Sequence, residues 1–228
     1  YETPVARYWP DYGQNGKDTV TLGQLISHQD GLPGFSPPQD PSIWFDVSAT
    51  LKALCEQAPL WTPGDGSGYH PITGGYLLGE VFRRVEGRSL GTALREDFAE
   101  PFGIEVMIGT PDEYAPRIAH LQKPTAPPDL GVIDRIKQSA FLDKGSAPAG
   151  RGSGDWRRME IPSANIHGTA LALAQFMRIL SSGGYYDRDR MLSLGTLGQL
   201  TRERVYGHDR VLPFKLSWAA GLLRNKEI

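Results

Sequence analysis

The stretch Ile72–Glu86 narrows the possible folds more than any other part of this chain. Leu77, Leu78, Val81, Phe82 and Val85 form one stripe at helical spacing, with Glu80, Arg83 and Arg84 outside it. Gly87 follows as a stop. An amphipathic helix of this kind is stable only when its apolar face is covered by other elements. The chain supplies such partners. Thr21–Gln29 reads as a short helix, with Thr21 as N-cap and Leu22, Leu25 and Ile26 on one side. Ser48–Gln57 reads as a second, capped by Ser48, with Leu51, Leu54 and Cys55 on a shared face. Ser89–Phe98, Thr169–Leu180 and Leu192–Glu203 are further helices, and Leu130–Leu142 is a weaker one. Val106–Gly109 and Ile118–Leu121 are short strand candidates, and Phe214–Leu223 is the one convincing strand. Lys123–Pro128 is a Pro-rich linker, and Gly145–Gly154 has the composition of a loop. The pattern is helix-rich, without internal repeats or a linker long enough to force two autonomous domains.

Composition removes several classes of function. A chain of 228 residues buries a core without help from disulfides or metals. Cys55 is the only cysteine, which excludes a disulfide framework and a multi-cysteine zinc site and favours a cytoplasmic location. The net charge of −2 offers no basic excess for nucleic acid or an anionic membrane. No apolar run reaches the roughly 18–20 residues of a membrane span. The histidines, His28, His70, His120, His167 and His208, include no pair at ligand spacing, and no metal or other cofactor is expected. His28 near a helix end reads as a C-terminal cap or packing group.

Two loops feed directly into helices and could carry chemistry. The first is Gly64-Asp-Gly-Ser-Gly-Tyr69-His70-Pro71. A phenol with an ordinary pKa of about 10 is a poor base unless cations or dipoles stabilise its anion, and a helix start supplies a dipole. The same residues would also make a surface turn whose tyrosine simply packs. The second is Ile161-Pro-Ser-Ala-Asn165-Ile-His167-Gly168-Thr169. Asn165 and His167 could point into a cleft there, while Ser163 or Thr169 could equally be ordinary N-caps. The chain has no Gly-x-Ser-x-Gly elbow, phosphate-binding glycine loop, His-Glu-x-x-His, Ser-x-x-Lys or Lys-Thr-Gly.

The order of blocks resembles the serine β-lactamase-like and penicillin-binding-protein-like family. Thr21-Leu-Gly-Gln-Leu-Ile-Ser-His28-Gln-Asp-Gly-Leu32 is similar to its "T-x-x-x-L-L-x-H-x-S/A-G-L" block. Trp61-Thr-Pro-Gly-Asp-Gly-Ser-Gly-Tyr69-His70 resembles "P-G-x-x-x-x-Y-x-N", and Pro101-Phe-Gly-Ile104 resembles "P-L-G-M". Ser163–Met177 resembles the "S-T-A-x-D-L-A-R-F" segment. The Tyr-His form of the tyrosine block looks most like the family VIII carboxylesterases.

This resemblance implies an α+β, β-lactamase/transpeptidase-like fold. Residues 1–228 would be an incomplete domain of that type, mostly its helical part, with 214–223 as a sheet strand left with unpaired edges. It implies a serine hydrolase acting on small carboxylic esters through an acyl-enzyme, with room for weak β-lactam hydrolysis. Tyr69 would be catalytic, and His70, Asn165 and His167 would line the substrate site. The partner would be a small ester or lactam, with no nucleic acid and no membrane segment. An inactive binding scaffold and a D-alanyl peptidase are the alternatives. Pro71 stands where the family has Asn, which weakens a β-lactam reading. The Ser-x-x-Lys block would fall before Tyr1, and the Lys-Thr-Gly or Trp-Gly-Gly strand after Lys226-Glu227-Ile228. A longer parent chain is therefore expected.

Overall fold

The computed structural model describes residues 1–122, 125–126 and 129–225. Most of the Lys123–Pro128 linker and the closing Lys226–Ile228 lie outside them. The long stripe does form a helix, α3, at Thr73–Glu86, ended by Gly87 at φ +77°. Tyr76, Leu77 and Val81 are buried, but Val85 is 62% exposed, so the covered face is rotated towards the start of the helix. Glu80, expected outside, is 7% exposed because Arg83 and Arg84 both donate to its carboxylate. Against α3 pack α1, Leu22–Ile26, and α2, Val47–Glu56.

Local chemistry sets the helix starts. Thr21 caps α1 in a reciprocal capping box with Gln24. The cap of α2 is Asp46, whose Oδ1 accepts from Ala49 N at 2.9 Å, and not Ser48. Either residue suits the position, and the chain turns one residue pair earlier, after the 3-10 turn Pro41–Phe45. The end of α2 is closed by a side chain from elsewhere. The Lys17 ammonium is fully enclosed, and Nζ donates to Cys55 O at 2.9 Å and Gln57 O at 2.5 Å.

The Ser89–Phe98 helix is shorter than expected. α4 covers Leu90–Leu94, and then a wider π turn, Arg95–Ala99, leads to a last helical turn ended by Gly103. Leu130–Leu142 contains only one α turn, Arg135–Lys137, and a π turn, Gln138–Leu142. The Ala170–Ser181 helix starts one residue after Thr169, its N-cap, and Leu194–Thr201 is capped by Ser193.

Strands are short and antiparallel. β1, Val106–Ile108, pairs with β2, Ile166–Gly168, setting Met107 opposite His167. Ile118–Leu121 forms no strand; it follows the 3-10 turn Asp112–Arg117, and β1 takes its partner from a segment not expected to be extended. β3, Tyr185–Tyr186, and β4, Asp189–Arg190, make a small hairpin. β5, Val205–His208, β6, Lys215–Trp218, and β7, Leu223–Arg224, form a sheet in that order. The expected single strand over Phe214–Leu223 is thus two strands, because the chain turns at Gly221 (φ +70°) and Ala219 N donates to Leu222 O. β6 is the central strand, paired on both sides, rather than an open edge.

The main core joins Trp9, Tyr12, Leu25, Phe35, Trp44, Leu54, Tyr76, Leu77, Trp156 and Ile161. A smaller one joins Ile104, Val106, Ala172, Ile179 and Tyr186. Among the described residues no helix is long and apolar enough to cross a membrane, and no group of side chains could hold a metal ion.

Candidate active site

The Tyr69 loop is fixed from two directions before any side chain contributes. On one side Gly68 N donates to His28 O and Gly64 N to Gln29 O, each at 2.9 Å. On the other, Arg210 N donates to Ser67 O at 2.8 Å. The approach depends on glycine at two positions. Gly64 lies at φ +89°, and a Cβ at Gly68 would stand 2.6 Å from the Trp61 ring.

The tyrosine ring stands among aromatic neighbours. Trp218, at the end of β6, lies parallel to it at 5.9 Å between ring centroids. His28 meets it edge-on at 5.3 Å and contacts Trp218 at 4.4 Å. Among the described residues the phenol oxygen takes no hydrogen bond. Burial raises the Tyr69 phenol above its ordinary value, which disfavours its anion. The start of α3 carries no side-chain cap, its N-cap being Ile72.

His28 is not a cap. Ser27 closes α1, and His28 itself sits at φ +62°, a left-handed conformation rare for a non-glycine residue. Its Nδ1 accepts from His70 N at 3.3 Å. Burial, with the neighbouring His70, pushes its imidazole down to about 3, against the weaker pull of Asp30 and Asp209. The ring is therefore neutral at physiological pH.

Behind this surface lies a closed polar group. His70 is 2% exposed, and its Nε2 stands 2.9 Å from Asp30 Oδ1, with both side chains fully enclosed. The two atoms stand at ion-pair distance without forming a hydrogen bond, and among the described residues His70 Nδ1 has no hydrogen-bond partner. Tyr12 donates to Asp30 Oδ2 at 2.9 Å. His70, expected to line the substrate site, thus points inward.

The second loop separates from the first. Asn165 is 1% exposed and its amide is fully engaged: Oδ1 accepts from Ile161 N, and Nδ2 donates to Trp156 O and Met159 O. It braces its own loop, where a cleft position was expected. His167 Nδ1 lies 2.8 Å from Asn165 O and 2.9 Å from Thr110 Oγ1. Its ring lines a cavity of about 440 Å³ with Met107, Thr110, Tyr114, Trp156 and Ile166. Tyr69 is not part of that cavity's wall.

Sequence reading missed Asp30, Asp209 and Trp218; of its two readings of His28, cap or packing group, the structure gives the packing group. Asp209 follows β5, is 7% exposed and holds the Tyr69 backbone N–H on Oδ1 at 3.0 Å. Only its position beyond a strand and before the β6 tryptophan hinted at a role, since it lies 140 residues from its partner.

With this geometry in view, comparison with known proteins is decisive. A family model described as Beta-lactamase matches residues 1–227. The chain belongs to the beta-lactamase family. Its fold is the β-lactamase/transpeptidase-like α+β fold of that family. It is 32% identical over 216 residues to the "Esterase/beta-lactamase LipL" of Mycobacterium tuberculosis, covering 90% of this chain and 50% of that protein. Among solved structures it matches a penicillin-binding protein homologue from Caulobacter crescentus with a TM-score of 0.96 at 49% identity. It matches a family VIII carboxylesterase with a TM-score of 0.89 at 30% identity. Both matches cover all of this chain and 61% of the other. The chain thus spans about half to three-fifths of the beta-lactamase family proteins it resembles.

Proposed function

We propose that these residues form part of a serine hydrolase that cleaves small carboxylic esters through an acyl-enzyme. The observation that carries this reading is Tyr69: a half-buried phenol, held by its backbone and flanked by Trp218 and His28, with its oxygen uncommitted. A phenol raised by burial stays protonated near neutral pH and cannot act as a base alone. It becomes competent beside a cation. The reading therefore places a Ser-x-x-Lys helix, supplied by a segment outside these residues, against Tyr69. The serine hydroxyl attacks the ester carbonyl and its proton passes to the lysine–tyrosine pair. The alcohol leaves with a proton, and water then releases the acid from the serine.

The esterase reading is supported by the Tyr69-His70-Pro71 sequence, since Pro71 has no side-chain amide to offer a lactam, and by the likeness to a family VIII carboxylesterase. The likeness to a penicillin-binding protein homologue supports a second reading with the same chemistry and a different acyl donor. The test is Tyr69→Phe in the polypeptide that carries these residues with their native flanking segments, assayed with p-nitrophenyl butyrate. Turnover is expected to fall by about 10²–10⁴. Wild-type turnover would overturn the assignment. Labelling by fluorescent penicillin in place of ester turnover would select the second reading. A flanking segment without Ser-x-x-Lys would leave an inactive binding scaffold. Residues 1–228 alone are expected to show no ester hydrolysis.

A further inference from the structure

We propose that Asp209 is a positioning residue for Tyr69, fixing both its backbone and the ring packed against it; this rests on the reading of Tyr69 as catalytic. The Asp209 carboxylate accepts five hydrogen bonds. Oδ1 takes Tyr69 N at 3.0 Å, Val211 N at 2.9 Å and Leu212 N at 2.9 Å. Oδ2 takes Ser67 Oγ at 3.0 Å and Trp218 Nε1 at 3.1 Å.

A buried carboxylate is unfavourable unless it is fully hydrogen-bonded, and this one is. An aspartate that only shaped its own turn would need the Val211 and Leu212 amides and nothing more. The other three donors all belong to the surroundings of the phenol. Ser67 and Tyr69 N are the loop that carries it, and Trp218 is the ring lying parallel to it. Asp209 therefore reaches Tyr69 by two independent routes, through the main chain and through the indole. Removing it frees both at once. The phenol would stay in the site but lose its fixed distance from the reacting serine, and misplacement of about 1 Å can lower a rate by about 10².

The effect should appear in kcat, because both oxygens of the carboxylate are already committed to the loop, the following turn and the indole. The experiment is a double-mutant cycle in the polypeptide with its native flanking segments, using p-nitrophenyl butyrate. Asp209→Asn retains the shape but has a single acceptor oxygen, so its NH2 must face either the three main-chain N–H groups or Ser67 Oγ and Trp218 Nε1. It should lower kcat by about 10–100-fold with KM changed by less than about threefold. In the Tyr69→Phe background the same substitution should change kcat by less than about twofold, because the group it positions is gone. Trp218→Phe keeps an aromatic ring at the position and removes the indole donor together with the rest of the larger ring. It should give a smaller fall, also lost in the Tyr69→Phe background, and it carries the test if Asp209→Asn does not fold.

Equal falls in both backgrounds would show a general structural role and overturn the proposal, as would wild-type kcat in Asp209→Asn. If Tyr69→Phe itself turned over at the wild-type rate, the catalytic reading would fail and take this inference with it. A crippled Tyr69→Phe beside an unaffected Asp209→Asn would sink the positioning role alone.

Discussion

The loops at 61–71 and 159–168 look alike as sequence and differ in what their side chains are free to do. Each is polar, contains glycine and runs into a strong amphipathic helix. In the second, the buried amide and the helix-capping hydroxyl are used locally. The Asn165 side chain bonds to residues four, six and nine positions back, and Thr169 caps the following helix. In the first, the loop is held by its backbone and by remote partners, and among the described residues the phenol oxygen of Tyr69 is left uncommitted. A polar side chain is available for chemistry only when something else satisfies the main chain around it. Here that work falls to residues 28–29 and 209–210.

Four substitutions would break or sharpen this contrast. The largest effect is expected from Tyr69→Phe, which should remove about 10²–10⁴ of turnover in the full-length polypeptide while leaving thermal stability near wild type. A matching loss of stability would make Tyr69 a packing residue, like those of the second loop. Asn165→Ala should do the reverse. It strands Ile161 N and the carbonyls of Trp156 and Met159, and chemical denaturation should show a loss of about 2–4 kcal/mol.

His28 should reveal itself through pH. Its folded value of about 3 lies below the ordinary 6.5, so between these values the unfolded chain binds the extra proton. Stability contributed by the neutral ring is complete above about 6.5 and is lost as pH falls towards 3, at up to roughly 1.4 kcal/mol per pH unit. The groups facing the ring are His70, Asp30, Asp209, Tyr69 and Trp218. His28→Asn tolerates the left-handed backbone and should lose that slope in denaturation measured from pH 7 to pH 4. An unchanged slope would mean that the ring is protonated when folded.

The smallest effect is expected from Thr169→Ala. Loss of the hydroxyl that accepts from Ala172 N should cost about 1 kcal/mol.

The legible part of the fold was the part set by local periodicity and capping. Thr21, Thr169 and the stripe of α3 each act over one or two turns, and each was readable. The misreadings share a different cause. β2 is extended only because β1 lies beside it, and Ala219–Leu222 turns only because β7 folds back onto β6. Glu80 looked like a surface residue until Arg83 and Arg84 closed over it. At the site, Tyr69 could be picked out because its glycines and its resemblance both pointed to it. Asp209 and Trp218 could not, because their importance lies wholly in contacts across the chain.

The tie between Asp209 and Tyr69 also places the site in time. The two residues are 140 positions apart, and synthesis proceeds at roughly 5–20 residues per second. The Tyr69 loop therefore leaves the ribosome roughly 7–28 seconds before the carboxylate that anchors it exists. Helices α1 to α3 can gather around their own core during that interval. The Tyr69 loop is tied down on this side only when the β5–β6 hairpin arrives, so until then a nascent chain holds the loop without the carboxylate that fixes it.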